Sequence, residues 1–162
     1  MRVALLAALV LGATMWAAPP AIGQDTCMKA EGRMTLERSS AGCSSPVELC
    51  LAGTVAGKGI LDGATWRFIA GAKIPSASAV AYSGETVIAV RTGTITTSTR
   101  ASLESGAISL RDQVTAADVK EPRLMGAREI FSKGTGELAT KGTGSLEQGF
   151  PVEVAGEICF SK

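Results

Sequence analysis

Hydrophobic and polar residues alternate along much of this chain with a period of two. From 28 to 36, Met28, Ala30, Gly32, Met34 and Leu36 share one side, and Lys29, Glu31, Arg33 and Thr35 the other. That pattern puts one face against a core and the other in water, as a half-buried β-strand does. Residues 47–61 repeat it, with Val47, Leu49, Leu51, Val55 and Leu61 opposite Glu48, Cys50, Thr54 and Lys58. The stretch ATWRFIAG (64–71) reads as a strand with Trp66 and Phe68 on one side. ETVIAVRTGTITTSTR (85–100) is the longest strand-like run, and its threonines disfavour helix because β-branching restricts χ1. Segments 106–112, 125–131, 137–147 and 150–160 complete a set of about eight. The stretches 71–84 and 112–124 carry Pro75 and Pro122 and are expected to hold loops or short helices.

No linker divides these segments, so the pattern predicts one all-β domain. About eight antiparallel strands must hide their edges, and a single closed or nearly closed antiparallel barrel does so.

Composition then sets the compartment. Arg2 precedes the apolar run VALLAALVLGATMWAA; PPAIG breaks it, and Ala21 and Gly23 fit a signal-peptidase site before Gln24. Residues 1–23 are therefore expected to be a cleaved signal peptide, and 24–162 a domain exported to the periplasm or beyond the cell. The apolar run is too short for a stable membrane span, so no membrane insertion is expected after cleavage. The chain has Lys+Arg 16 and Asp+Glu 15, and removing Arg2 balances the two. Such a balance lacks the basic footprint of a nucleic-acid binder.

The four cysteines, Cys27, Cys43, Cys50 and Cys159, all follow the leader, and an even count in an exported chain predicts two disulfides. Their spacing contains no C-x-x-C and the chain has no histidine, which argues against a zinc site. Cys27 and Cys159 fall on the polar sides of the first and last strands. If barrel closure makes those strands neighbours, Cys27 can bridge to Cys159 and Cys43 to Cys50. Cys27–Cys43 with Cys50–Cys159 is the rival pairing.

The tetrapeptide Lys-Gly-Thr-Gly occurs twice, from Lys133 and from Lys141. GTGELA (134–139) fits a dinucleotide fingerprint in outline, but that motif needs a long helix after its glycines, which the second Gly-Thr-Gly would break. GTVAGKG (53–59) lacks the Ser/Thr that a phosphate loop carries after its lysine. No cofactor is expected. Glycine pairs on either side of ELAT suit instead a tight corner in a barrel wall, with the chain returning as the next strand.

FSKGTGELATKGTGSLE also resembles the Gly-Gly-Thr-Gly-x-aromatic-x-x-Ala-x-Gly signature of the allene-oxide-cyclase-like barrels, which include the dirigent proteins. Here Ser132-Lys133 stand before Gly134, Leu138 takes the aromatic position, and Thr140-Lys141-Gly142 replace Ala-x-Gly with a one-residue shift. The resemblance implies an eight-stranded barrel whose interior can hold an apolar small molecule. It carries over no catalytic residues.

Without histidine, no Ser-His-Asp or Cys-His site is available. Glu85, Asp112 and Glu129 are the strand-end acids from which a carboxylate pair could be drawn. Charged or aromatic residues in apolar strand contexts are the candidate ligand contacts: Trp66, Phe68, Arg91, Arg111, Asp112, Arg128 and Glu129. Arginines at a barrel mouth would orient an acidic group on an otherwise apolar ligand. The expected function is that of an exported, non-enzymatic barrel binding a small apolar or amphipathic ligand or a protein partner. An isomerase or cyclase assisted by an acid such as Glu129 is the alternative, and a purely structural barrel filled by its own side chains is a third.

Overall fold

The computed structural model describes residues 26–77, 79–121, 129–131 and 133–161, so the expected leader lies outside the described residues. Among the described residues ten strands run in chain order: β1 (Thr26–Arg38), β2 (Cys50–Thr54), β3 (Ala56–Lys58), β4 (Thr65–Ile74), β5 (Val80–Val90), β6 (Gly93–Glu104), β7 (Ala107–Glu121), β8 (Glu129–Phe131), β9 (Lys133–Thr143) and β10 (Phe150–Ser161). Among the described residues the only helical element is the single 3-10 turn Gly59–Leu61, and no helix is long and apolar enough to cross a membrane.

The strands form one antiparallel sheet in the order β10-β9-β7-β6-β5-β4-β2-β1, and β10 also pairs β1, which closes an eight-strand ring. β3 continues the β2 side along β1, and β8 pairs β7 beside β9. The seam between first and last strands is in unbroken register from Thr26↔Phe160 to Leu36↔Phe150. Closure is the consequence of the period-two pattern: each strand has an apolar row, and a ring brings every row to one interior while leaving no long edge unpaired. The expected all-β barrel is what the chain forms.

The interior is one contiguous core. Ala30, Met34 and Leu36 of β1 meet Val152, Val154 and Ile158 of β10, and Trp66, Phe68, Ile88, Ile95, Leu110 and Leu138 are all 0% exposed. Leu49, Leu51, Val55 and Leu61 share that interior, with Val47 packed against it, as the alternation over 47–61 predicts. Cys50, expected on the polar side, is buried too, and the run is divided into β2, β3 and the 3-10 turn. Outward positions on the same strands carry Lys29, Glu31 and Arg33. Arg33 and Glu153 form an ion pair across the seam at 2.9 Å, but both are mostly solvent-exposed and such a pair contributes little.

Three expectations about elements need correcting. The run 85–100 is not one strand: β5 and β6 form a hairpin whose two-residue turn is Arg91–Thr92, with Val90 opposite Gly93. The turn hides within VRTGT because valine and threonine on both sides keep the strand-like composition intact. The stretch 71–84 holds the expected loop only around Pro75, between β4 and β5, and 112–121 is strand throughout, while Pro122 lies outside the described residues. The two stretches contribute the end of β4, the start of β5 and the length of β7, because pairing on both sides overrides the weak strand propensity of Ala and Ser. The KGTG repeat makes no corner. Lys133–Thr143 is one strand, paired with β10 without interruption from Ser161↔Lys133 to Val152↔Gly142.

Disulfides join Cys27 to Cys159 and Cys43 to Cys50, and no described cysteine is free. The first staples the β1–β10 seam on the outer face, where the two residues are direct register partners. The second fastens the loop ahead of β2. In that loop Ser45 Oγ donates to the Ala70 carbonyl at 2.6 Å and accepts from the Val47 and Leu49 amides.

Candidate functional site

β6 and β7 lie side by side in the ring, and each presents a different chemistry to its two faces. Ile95, Thr97, Thr99 and Ala101 point inward from β6, and Leu110, Asp112 and Val114 from β7. Thr94, Ser98, Arg100, Arg111 and Gln113 are exposed on the outer face.

Thr99 is the register partner of Asp112, and Arg100 that of Arg111. The buried acid and the exposed arginines are thus consecutive rungs of one ladder, on opposite sides of one wall.

Inside, Asp112 is 0% exposed and its Oδ1 lies 2.5 Å from Thr99 Oγ1 and 3.0 Å from Thr97 Oγ1. Thr99 Oγ1 is also 2.7 Å from Thr86 Oγ1, and the Thr97 hydroxyl reaches the Thr86 carbonyl at 3.5 Å. Each hydroxyl carries one proton. With Asp112 ionised, Thr99 must give its proton to the carboxylate. With Asp112 neutral, the acid's own proton serves Thr99, which is then free to donate to Thr86. Burial pushes the Asp112 carboxyl above the ordinary carboxylate range, and hydrogen bonds from Thr99, Thr86 and Thr97 pull it part of the way back. Asp112 Oδ2 makes no hydrogen bond to the protein, and neither does buried Thr140 Oγ1. Thr140 pairs with Leu110 and Leu138 with Asp112, so both unpartnered groups sit on the inward face of adjacent strands, one diagonal step apart.

Outside, Arg100 and Arg111 stand directly opposite each other. Like charges in that relation repel and destabilise the pairing. Among the described residues neither arginine forms an ion pair or a side-chain hydrogen bond. Ser83 is the partner of Arg100 on the β5 side, and Ala139 that of Arg111 on the β9 side. Two rungs to either side, on the same face, are Ser98 with Gln113 and Ser102 with Ser109. Small side chains therefore surround two long cationic ones. Both arginines line two adjoining concavities. One, of about 550 Å3, extends over Ile74, Pro75 and Ala81. The other, of about 330 Å3, extends toward Gln113 and Glu137.

The sequence-predicted residues divide between these faces. Trp66 and Phe68 are fully buried core side chains, and the Trp66 indole Nε1 has no protein partner. Asp112 joins them in the interior, while Arg111 belongs to the outer wall. Arg91 sits in the β5–β6 turn, away from both clusters, 3.5 Å from Asp62. Glu129 falls on β8 opposite Glu121, and Arg128 lies outside the described residues. The acids Glu85 and Asp112 point to opposite sides of the wall, so they make no catalytic pair.

Sequence reasoning missed Arg100 and the threonines 86, 97, 99 and 140. A signal was present for two of them: in TITTSTR, Thr97 and Thr99 share the phase of Ile95 and are therefore polar residues on an apolar row. Cys27, Glu157 and Cys159 also cluster, but the disulfide holds both sulfurs and leaves no thiolate for a metal.

No family model, curated protein or solved structure matches this chain.

Proposed function

We propose that this protein is an exported, non-enzymatic binding barrel that holds a small amphipathic anion on its outer wall. The observation that carries this reading is the Arg100–Arg111 rung, two unpaired guanidinium groups side by side in an open groove. Planar guanidinium groups recognise carboxylate, sulfonate or phosphate by paired N–H donors, and they are always charged. The apolar part of the ligand lies along Ile74, Pro75 and Ala81, the half of the groove with little charge. A volume of about 550 Å3 is of the size that takes a drug-sized molecule. Export is supported by the leader pattern and by two disulfides, which persist in oxidising compartments. Membership of the allene-oxide-cyclase-like barrels belongs to the same proposal, supported by the eight-strand ring. In this reading the ligand sits on the wall, because the inward positions are occupied by core side chains.

Anilinonaphthalene sulfonate is a suitable probe, since it joins a permanent anion to an apolar ring. The expected result is saturable binding that weakens about tenfold or more in the R100S/R111S double variant, on the scale of losing a charge-assisted contact. Equal affinity in the two proteins would overturn the reading. Binding of a protein partner at the same arginines, with no competition from the probe, would overturn the small-ligand part of it.

One observation favours a second reading, an isomerase or cyclase: Asp112 is a buried acid whose pKa burial raises above the ordinary carboxylate range. Asp112 belongs to the lining of the smaller concavity but is 0% exposed, so a substrate in the groove meets the exposed arginines first.

A further inference from the structure

Asp112 lies directly behind the arginine groove. Residues 111 and 112 are consecutive on β7, as are 99 and 100 on β6, and the two register pairs they make are neighbouring rungs. The wall between the carboxyl and the groove is one sheet thick, and buried charges are screened far less than exposed ones. We propose that ionisation of Asp112 weakens anion binding at Arg100 and Arg111, so that the outer groove holds its ligand at low pH and releases it as the pH rises. This rests on the arginine-groove reading and adds its regulation.

The groups around Asp112 leave it as the interior charge that can change. β5 contributes Thr86 and, further along, Tyr82; β6 contributes Thr97 and Thr99, and β9 contributes Leu138 and Thr140. On the outer face the titratable neighbours are Glu85, Glu137 and Lys141, together with the two permanently charged arginines. Glu137 and Glu85 are exposed. An ionised Asp112 adds a negative charge behind the guanidinium pair, offsets part of its field and opposes a second anion in front of it. A neutral Asp112 leaves that field whole. Burial favours the neutral form of Asp112 and extends it above the ordinary carboxylate range.

Linkage makes the coupling reciprocal: an anion in the groove must lower the acid dissociation constant of Asp112 by the same factor through which ionisation weakens the anion, and so raise its pKa by the logarithm of that factor. The experiment measures both directions with anilinonaphthalene sulfonate, whose own charge does not change. In the wild-type protein, affinity is expected to fall about fivefold or more as pH rises through the Asp112 titration. In D112N it should stay nearly level across that span. Carbon-13 NMR of the Asp112 carboxyl in wild-type protein supplies the second arm and needs no variant to fold. Its pKa is expected to rise when the probe saturates the groove.

An unmoved Asp112 pKa in wild-type protein that binds the probe through Arg100 and Arg111 overturns the coupling and leaves the binding function standing. A full pH slope surviving in folded D112N does the same. Unchanged affinity in R100S/R111S overturns the groove reading, and the coupling with it.

Discussion

Asp112 is the residue whose replacement tells most. Its folded-state pKa is raised by burial, so between the unfolded value and the folded one the native state binds a proton that the unfolded chain has lost. Stability therefore falls as pH rises through that window. The contribution is complete below the unfolded pKa and lost above the folded one. D112N keeps the shape and a hydrogen-bonding side chain but cannot ionise. We expect urea midpoints of D112N to be nearly level across the window in which the wild type declines, and to match or exceed wild type at neutral pH. A wild-type midpoint that rises with pH across the same window would show that Asp112 is ionised in the native state. Phe68 gives the contrasting case. It is 0% exposed in the same interior and bears no charge, so F68A should lower stability by about 3–5 kcal/mol at every pH. A loss under about 1 kcal/mol would mean that this part of the barrel is not packed as described.

At the scale of elements, β9 shows what a sequence pattern reveals and what it conceals. The KGTG repeat identifies glycines that matter, yet not how. Gly136 has φ +143, a conformation that side chains rarely adopt, and a Cβ there would meet the Glu157 carbonyl of β10. At Gly142 the obstacle is the Pro151 carbonyl. These glycines let β9 and β10 approach, and neither turns a corner. G136A and G142A are each expected to cost about 1–3 kcal/mol, whereas T135A, outward and exposed on the same strand, should stay within about 0.5 kcal/mol. Thermal unfolding of the three proteins checks this ranking, and a neutral G136A would remove the strain argument. Alternation made the inward and outward rows of β1, β4 and β10 legible, because one apolar face against one polar face has a fixed period. It could not locate the β5–β6 turn, where strand-like residues continue through the hairpin. Nor could it pair Arg100 with Arg111. Register across a sheet is a relation between distant segments, and Arg100 by itself looks like any exposed residue at the end of a threonine-rich run.

For the whole molecule the decisive relation is closure. Ring architecture brings Thr26–Leu36 against Phe150–Phe160, the longest separation in sequence that any strand pair here spans. An unfolded chain rarely brings such distant segments together, so a cross-link there removes more conformations than a cross-link within a short loop. The chain-entropy expression gives about 5 kcal/mol for the Cys27–Cys159 separation of 132 and about 2 kcal/mol for the Cys43–Cys50 separation of 7. The double variant C27S/C159S should accordingly lose more stability than C43S/C50S, measured by denaturant midpoints with equal slopes. The shorter bridge holds a loop that Ser45 already fastens to β4 through the Ala70 carbonyl, which lessens its share further. A larger loss from C43S/C50S would place the weak point of the barrel at the loop before β2 and not at the seam. The ordering predicted here follows only if the first and last strands meet as neighbours in solution and the seam is where the ring opens.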